Sequence, residues 1–326
     1  MDTGTHLLMG VAIGGLATID PAVYHHSETF HAVFIGAVAG SQIPDIDTVL
    51  KLRNNAVYIR NHRGVTHSVP ALFLWPLAIT GILALFFPEA NLFHLWLWTF
   101  IAVFLHVFVD IFNAYGTQAL RPFSSKWVAL GWIHTFDPFI FGIHLAGIAL
   151  WFSGRDPRII FPVMYIIIAG YYLYRYIIRK TLISVIKKRI PDAERIILSP
   201  TVKFFHWRVA VVTENKFYVG RAYRNSFHIV DEFDRIPLPD DPVMNAAVKD
   251  KNVAAFLSFS PVYRWEIERD RHYTEVRFID LRYRSKDHYP FFAIVKLDHN
   301  LNVLTSYTGW IYNKKKLREK LQVLPH

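Results

Sequence analysis

The fold class is decided by two neighbouring apolar stretches, VPALFLWPLAITGILALFFP at residues 69–88 and NLFHLWLWTFIAVFLHVFV at residues 91–109. Neither contains Lys, Arg, Asp or Glu. At roughly 20 residues each, both are about long enough to cross a hydrocarbon core of about 30 Å. A backbone in lipid must satisfy its own hydrogen bonds, so both stretches are predicted to be membrane-spanning helices.

Four further apolar stretches flank this pair. Residues 138–153 and 159–174 are slightly short for a span, and residues 7–19 and 30–43 are shorter still and rich in Gly and Ala. The shorter two fit spans, re-entrant elements or buried helices equally well. We therefore predict an α-helical polytopic membrane bundle of about six helices over residues 1–180.

Composition agrees with a membrane protein and narrows its chemistry. Apolar residues make up 52% of the 326 residues, which is high for a soluble chain of this size. The chain has no cysteine, so any metal must be held by histidine and carboxylate and not by thiolate. The start of the chain lacks a basic segment before its apolar run, and no cleavable signal peptide is expected.

The net charge of +10 is distributed unevenly between alternate connections of the six-span arrangement. One side receives only Arg155 and Arg158. The other side receives Lys51, Arg53, Arg60, Arg63, Arg121, Lys126 and the basic cluster within residues 175–189. Basic residues mark the cytoplasmic side, so both termini are predicted to lie in the cytoplasm, with an anionic lipid surface a better partner than nucleic acid.

The last third of the chain has a different pattern. Short alternating runs such as KFFHWRVAVV at residues 203–212 and EVRFIDLRYR at residues 275–284 are typical of strands. We predict a basic juxtamembrane linker at residues 181–195. A small β-rich cytoplasmic domain follows at residues 196–326, closed by a basic C-terminal helix containing NKKKLREKLQ.

Histidine and aspartate recur in four separated pieces of the predicted bundle. In HVFVD the two residues stand four apart and share one helix face, and in PDID the two carboxylates follow a proline at a turn. In HRGVTHS, Ser68 is predicted to cap the following helix, with Pro70 in its first turn. The candidate metal ligands are His6, Asp45, Asp47, His62, His67, His106 and Asp110.

Topology tests this set, because ligands must lie on one side of the membrane to meet. All seven fall at the cytoplasmic ends of the predicted spans. In WIHTFDPF, His134 and Asp137 fall on the same side and form a second tier of ligand candidates. Carboxylate with imidazole suits zinc or manganese better than calcium. The site is therefore predicted to bind two or more divalent ions, zinc first and Mn²⁺ as the alternative.

Simpler explanations exist for each piece. A lone apolar-helix histidine is more often a hydrogen-bonded packing residue, and this is our interpretation of His94. His106 with Asp110 could be a buried pair, Asp45 a helix cap, and the histidines of HRGVTHS ordinary loop residues. These explanations require independent coincidences, whereas one metal site accounts for all the pieces together.

The first 180 residues resemble the YdjM-like family, because they carry His6, PDID, HRGVTHS and the helical HxxxD in this order. Its members, also called LexA-binding, are inner-membrane-associated metal-dependent hydrolases. The segment DIFNAYGTQALRPFS at residues 110–124 also resembles that family. The family is distantly similar to zinc-dependent phospholipase C and single-strand nucleases, which implies phosphoester hydrolysis at the seven ligand candidates. The resemblance does not reach beyond about residue 190.

We therefore predict an inner-membrane metal-dependent hydrolase that attacks a phosphoester of a lipid-like substrate with metal-activated water. Asp45, Asp47 and His67 are its predicted catalytic residues, and Arg63, or alternatively Arg60, holds a phosphate oxygen. One alternative is a non-enzymatic membrane protein with a structural metal, whose C-terminal domain binds a protein partner. Another is an ion transporter, although the candidates gather at one face and do not line a route across the membrane.

Overall fold

The computed structural model describes residues 1–285 and 288–312, and its N-terminal part is helical. A helix occupies each of the six predicted apolar segments. The helices in chain order are α1 (Thr3–Leu16), α2 (Pro21–Tyr24), α3 (Ser27–Gly40), α4 (Asn55–Asn61), α5 (Val69–Ala84), α6 (Leu92–Asp110), α7 (Pro138–Phe152) and α8 (Pro157–Arg189). Segments of 3-10 helix lie at Ala17–Ile19, Ile43–Leu52 and Val65–His67.

Two of the described helices, α6 and α8, are long and apolar enough to cross a membrane. Two bent pairs raise the number to four if each pair is one broken span: α3 with Ile43–Leu52 at 44°, and Asn55–His67 with α5 at 73°. Helices α1 and α7 are shorter apolar helices. The helical region thus has two to four candidate membrane spans.

Three helices of this region begin at residue types that are typical of N-caps. Asp2, Asn91 and Asp137 cap α1, α6 and α7, each side chain accepting a hydrogen bond from a backbone N–H of the first turn. Ser68 occupies the N-cap position of α5, but its hydroxyl donates to the carbonyl of Val65 and caps no N–H of that helix. The predicted capping bond is therefore wrong, because the preceding 3-10 turn offers the hydroxyl a closer carbonyl.

Helix α8 runs through much of the predicted basic linker and ends at Arg189. Its last turn carries Lys187, Lys188 and Arg189. Positive charge at a helix C-terminus interacts favourably with the helix dipole, so this basic stretch supports the helix and does not end it early.

Helix α1 lies between two apolar cores. On one side Met9 and Ile13 join a core with α3, α5 and α6, and on the other Ala12 packs with Phe161 and Met164 of α8. Helices α3 and α6 approach closely because Gly36 has no side chain. A Cβ atom there would lie 2.5 Å from Oγ1 of Thr99. This packing fixes the positions of α1, α3 and α6, which carry or flank the candidate ligands.

The C-terminal part contains two four-stranded antiparallel sheets, which confirms its β-rich character. The first has the order β1-β2-β3-β4 and the second β5-β6-β7-β8. The strands are β1 (Arg195–Pro200), β2 (His206–Val212), β3 (Lys216–Tyr223), β4 (Ser226–Asp234), β5 (Tyr263–Arg269), β6 (Thr274–Asp280), β7 (Phe291–Leu297) and β8 (Val303–Trp310). Helices α9 (Pro242–Lys249) and α10 (Lys251–Phe259) lie between the two sheets in sequence. The predicted basic helix at NKKKLREKLQ lies outside the described residues.

Two polar clusters stabilise these strands. Buried Asp280 accepts a hydrogen bond from Ser260 and pairs with the guanidinium of Arg282 at 2.6 Å. Asp231 accepts from the Tyr289 hydroxyl at 2.6 Å and contacts the guanidinium of Arg284. Burial raises the pKa of Asp231, but these two hydrogen bonds outweigh it and the net pKa is lowered.

Residues 48–61 group with the C-terminal strands and not with the helical region. Helix α4 packs against α10 and β8, and the side-chain amide of Asn55 donates to the carbonyl of Thr308 at 2.5 Å. This short segment therefore belongs to the compact C-terminal unit, whereas the sequence prediction placed it within the helical domain of residues 1–180.

Candidate metal centre

The seven ligand candidates come from five places in the helical region. His6 lies in the second turn of α1, and His106 and Asp110 lie four residues apart on α6. Asp45 and Asp47 lie on the 3-10 segment after α3. His62 follows α4, and His67 ends the 3-10 turn before α5. The structure brings all of them together, although they are spread over more than 100 residues of sequence.

Four of these residues form a group able to hold an ion: Asp45, His67, His106 and Asp110, with one ligand atom of each within 4.8 Å of the others. The Nε2 atoms of His67 and His106 lie 3.7 and 3.8 Å from Oδ1 of Asp45. A tetrahedral zinc ion with bonds of about 2.0–2.2 Å holds its ligands about 3.3–3.6 Å apart. These two distances are therefore only a few tenths of an ångström longer than those in a zinc coordination sphere.

A second group shares one member with the first. It consists of Asp45, Asp47 and His62. Nδ1 of His62 lies 2.7 Å from Oδ1 of Asp47. Because Asp45 belongs to both groups, it would be a shared ligand if each group held an ion, a common role of carboxylates in two-metal sites.

The imidazoles of the first group are oriented by hydrogen bonds on their far sides. Nδ1 of His106 lies 2.6 Å from the carbonyl oxygen of Ser41, so it must carry the proton and donate it. Nδ1 of His67 lies 3.0 Å from the Thr66 hydroxyl. In metal sites such contacts fix the tautomer and leave the other nitrogen free to ligate.

The Nε2 atoms of His67 and His106 suit a bound metal better than they suit a closed protein core. Among residues 1–285 and 288–312, neither Nε2 of His67 nor Nε2 of His106 finds a hydrogen-bond partner, and both histidines are completely buried. A buried polar atom without a partner costs about 1–3 kcal/mol, and a bound cation would remove that cost.

His6 lies beside these ligands without belonging to either group. Its ring stacks on that of His106 with centroids 3.7 Å apart, and its Nε2 lies 3.4 Å from Oδ1 of Asp110. The amino group of Met1 contacts Asp110 and lies 2.8 Å from His6 Nε2. His6 therefore supports the centre from the α1 side.

Arg63 brings a buried positive charge to the centre. Its guanidinium lies 3.1 Å from Oδ2 of Asp110, and its side chain is 6% exposed. Its backbone has φ +57°, and its N–H donates to Oδ2 of Asp47 at 2.8 Å. The Thr66 hydroxyl donates to the same oxygen. The HRGVTHS segment thus folds around the Asp47 carboxylate, and the side chain of Arg63 points toward Asp110.

The two groups differ in access. His67, His106 and Asp110 are completely buried, whereas the side chains of Asp45 and His62 are 16% and 21% exposed. A molecule arriving from outside therefore meets the second group first.

The remaining sequence candidates lie outside both groups. Nδ1 of the half-buried His134 contacts the backbone of Phe136. Asp137 caps α7 and accepts a hydrogen bond from the Tyr171 hydroxyl at 2.8 Å. His94 is paired with Asp20, whose carboxylate also accepts from Trp98, as its interpretation as a packing residue implies.

Sequence reasoning missed two supporting groups. Thr66 was inside the HRGVTHS string but was not singled out, and its hydroxyl between two histidines was the available signal. The carbonyl of Ser41 could not be found from the sequence, because any residue type supplies a carbonyl and only the packing of α3 against α6 brings this one to His106.

Comparisons with known proteins agree with this division of the chain. Residues 1–182 match the family described as YdjM inner membrane protein. Residues 191–233 match the YfhP middle domain, and residues 242–321 match the YfhP C-terminal alpha/beta plait domain. The chain is 60% identical over 324 residues to the Bacillus subtilis (strain 168) protein entitled "Uncharacterized protein YfhP", with 99% of each chain covered. No solved structure matches the chain.

Proposed function

Since the chain belongs to the YdjM inner membrane protein family, we propose that it is a membrane-bound metal-dependent hydrolase that cleaves a phosphoester of a lipid-like substrate. The observation that carries this proposal is the pair of ligand groups that share Asp45. A single structural ion needs one closed set of ligands, whereas two adjoining sets with an exposed side suit a reaction centre.

Two divalent ions would be held by different residues. Asp45, His67, His106 and Asp110 would hold the buried ion, and Asp45, Asp47 and His62 the more exposed one. Mixed imidazole and carboxylate donors favour zinc, with Mn²⁺ as the alternative. When bound, such ions lower the pKa of coordinated water toward neutrality and neutralise charge on a phosphate.

The protein's own residues would bind and orient the ester. Arg63 carries a planar guanidinium suited to two phosphate oxygens. It now lies 3.1 Å from Oδ2 of Asp110 and donates a hydrogen bond to the carbonyl of Met1. In hydrolysis the water oxygen bonds to phosphorus, the bond from phosphorus to the alcohol oxygen breaks, and a water proton ends on that alcohol. The reaction needs no oxidant or further reactant.

The membrane arrangement we propose has six spans, with both termini and the metal centre on the cytoplasmic side. It rests on the excess of basic residues in alternate connections and on the gathering of ligands from α1, α6 and the connection between α3 and α5. Cysteine-accessibility labelling tests it in this cysteine-free chain: a cysteine placed at Arg155 should react from outside the cell, and one placed at Lys126 should not.

A second candidate function is favoured by one observation. The first group has four protein ligands, three of them completely buried, which is the number that closes a structural zinc site. Such a site would hold α6 to the 3-10 segments before α4 and before α5, and the C-terminal domain would then bind a protein partner.

Metal content and ester cleavage, measured on the same purified full-length protein, separate the two functions. We expect two ions per chain by elemental analysis and release of diacylglycerol from mixed phospholipids. His67→Ala and Asp110→Ala should each lose metal and cleavage, and His134→Ala, which removes a histidine outside both groups, should lose neither. Bound metal with no cleavage of any phosphoester would instead support the structural site.

A further inference from the structure

An apolar groove of about 530 Å³ runs between α6 and α8 in the helical region. Leu105 and Phe108 line it from α6, and Ile168 and Tyr172 are among its residues from α8. Most of its lining residues are apolar or aromatic, and the hydroxyls of Tyr165 and Tyr172 and Nε2 of His144 are buried from solvent. The groove therefore presents carbon to whatever occupies it.

The groove has the length of one membrane leaflet. Its lining on α8 extends from Tyr165 to Tyr176, which at 1.5 Å per residue is about 16 Å. That is roughly half of a hydrocarbon core of about 30 Å. Both helices that form its sides are candidate membrane spans, so the groove faces the region where lipid chains lie.

The groove also adjoins the metal centre. Met1 lines the groove, and the same residue contacts Asp110 and lies beside His6. The lining residue Val109 directly precedes the ligand Asp110 on α6, and the lining residue Phe112 lies two residues beyond it, just after the helix end. A molecule in the groove would thus have one end beside the buried carboxylates of the centre.

We propose that this groove binds one hydrocarbon chain of the substrate and so places the substrate's phosphate at the metal centre. The inference rests on the proposed hydrolase function and narrows its substrate to a phosphoester that bears a long unbranched or isoprenoid chain. Walls that expose mainly carbon disfavour sugar phosphates and nucleotides as occupants of this groove, because each would bury polar groups without partners.

Filling the groove provides the test. Ala169 is a small, exposed residue on its α8 side, and Ala169→Trp would occupy the space of the chain. Ala149→Trp is the matched control, since Ala149 is an exposed residue of α7 outside the groove lining. Both variants are studied as full-length protein in phosphatidylglycerol nanodiscs, with circular dichroism and metal content confirming that each is folded and loaded.

Two readouts are compared. The first is cross-linking by a phosphatidylglycerol that carries a diazirine at the end of one acyl chain, mapped by mass spectrometry. The second is cleavage of that lipid against cleavage of bis(p-nitrophenyl) phosphate, a soluble phosphodiester without a chain. Wild type and Ala149→Trp should cross-link within residues 105–112 and 165–176, and should cleave both esters.

Ala169→Trp should lose these cross-links and cleave the lipid roughly a hundredfold more slowly, because misplacing a reacting group by about 1 Å costs that much. Its cleavage of the soluble ester should be unchanged. If the variant cleaves both esters as wild type does, or if the cross-links lie elsewhere, the chain does not use the groove, although the hydrolase function stands. If wild type cleaves neither ester, the hydrolase function fails, and the groove is not a substrate site even where lipid cross-links to it.

Discussion

Removing the carboxylate of Asp45 tests the two-group arrangement most directly, because this is the residue that the groups share. Its Oδ1 lies 3.7 and 3.8 Å from the ligand nitrogens of His67 and His106. We expect Asp45→Ala to release both ions. His62→Ala, which affects only the second group, should release one ion and keep the other.

The magnitude follows from the place of Asp45 in the centre. Removing a residue that merely supports a ligand weakens metal binding about 10–100-fold, so loss of a shared ligand should cost at least about 100-fold. At metal concentrations of about 1,000 times Kd, one ion adds about 4.1 kcal/mol to the free energy of unfolding. After a hundredfold loss of affinity that contribution falls to about 1.4 kcal/mol per ion.

Two measurements on the full-length protein in detergent check this expectation. Elemental analysis after dialysis gives the ions bound per chain, and thermal unfolding at increasing zinc gives the metal-dependent stabilisation. His134→Ala is the control, because His134 lies outside both groups. Retention of both ions by Asp45→Ala, or an equal loss in the control, would refute the shared-ligand arrangement.

Three further outcomes are expected. Gly36→Leu should destabilise the helical region by about 1–3 kcal/mol through overpacking. Gly81→Leu is the control and should not, because a Cβ atom at Gly81 would meet nothing within 4 Å. Thermal unfolding of both variants in detergent measures the difference. Asp280→Ala removes one partner of a buried ion pair and should cost about 3–5 kcal/mol, read from the denaturant midpoint of the C-terminal strands. The pKa of Asp231 is lowered on folding, so its stabilisation is present above the unfolded pKa of about 3.9 and is lost as pH falls through the folded value. Acid titrations of wild type and Asp231→Asn should differ in that range, and coinciding curves would contradict the assigned hydrogen bonds.

The position of each helix was largely predictable, and its extent was not. The apolar runs located the six longer helices of this region, since a long stretch without charge has no other stable form in lipid, but they did not predict the short helices α2 and α4. Helix α5 nevertheless ends at Ala84, before the predicted end at residue 88, and α8 continues to Arg189. Hydropathy measures only the polarity of side chains, whereas the ends of helices depend on local hydrogen bonds and on favourable charge at the last turn.

For the candidate metal centre, the sequence by itself determined the donors. With no cysteine in the chain, recurring histidine and aspartate were the ligands available, and the spacing of His106 and Asp110 placed two of them on one helix face. The tertiary structure decided the grouping. In the folded chain Asp45 belongs to both ligand groups, Arg63 lies against Asp110, and His134 lies outside both groups. Spacing along one helix fixes direction, but distances between segments far apart in sequence depend on how α1, α3 and α6 pack, and that packing is set by side-chain shape across the whole region.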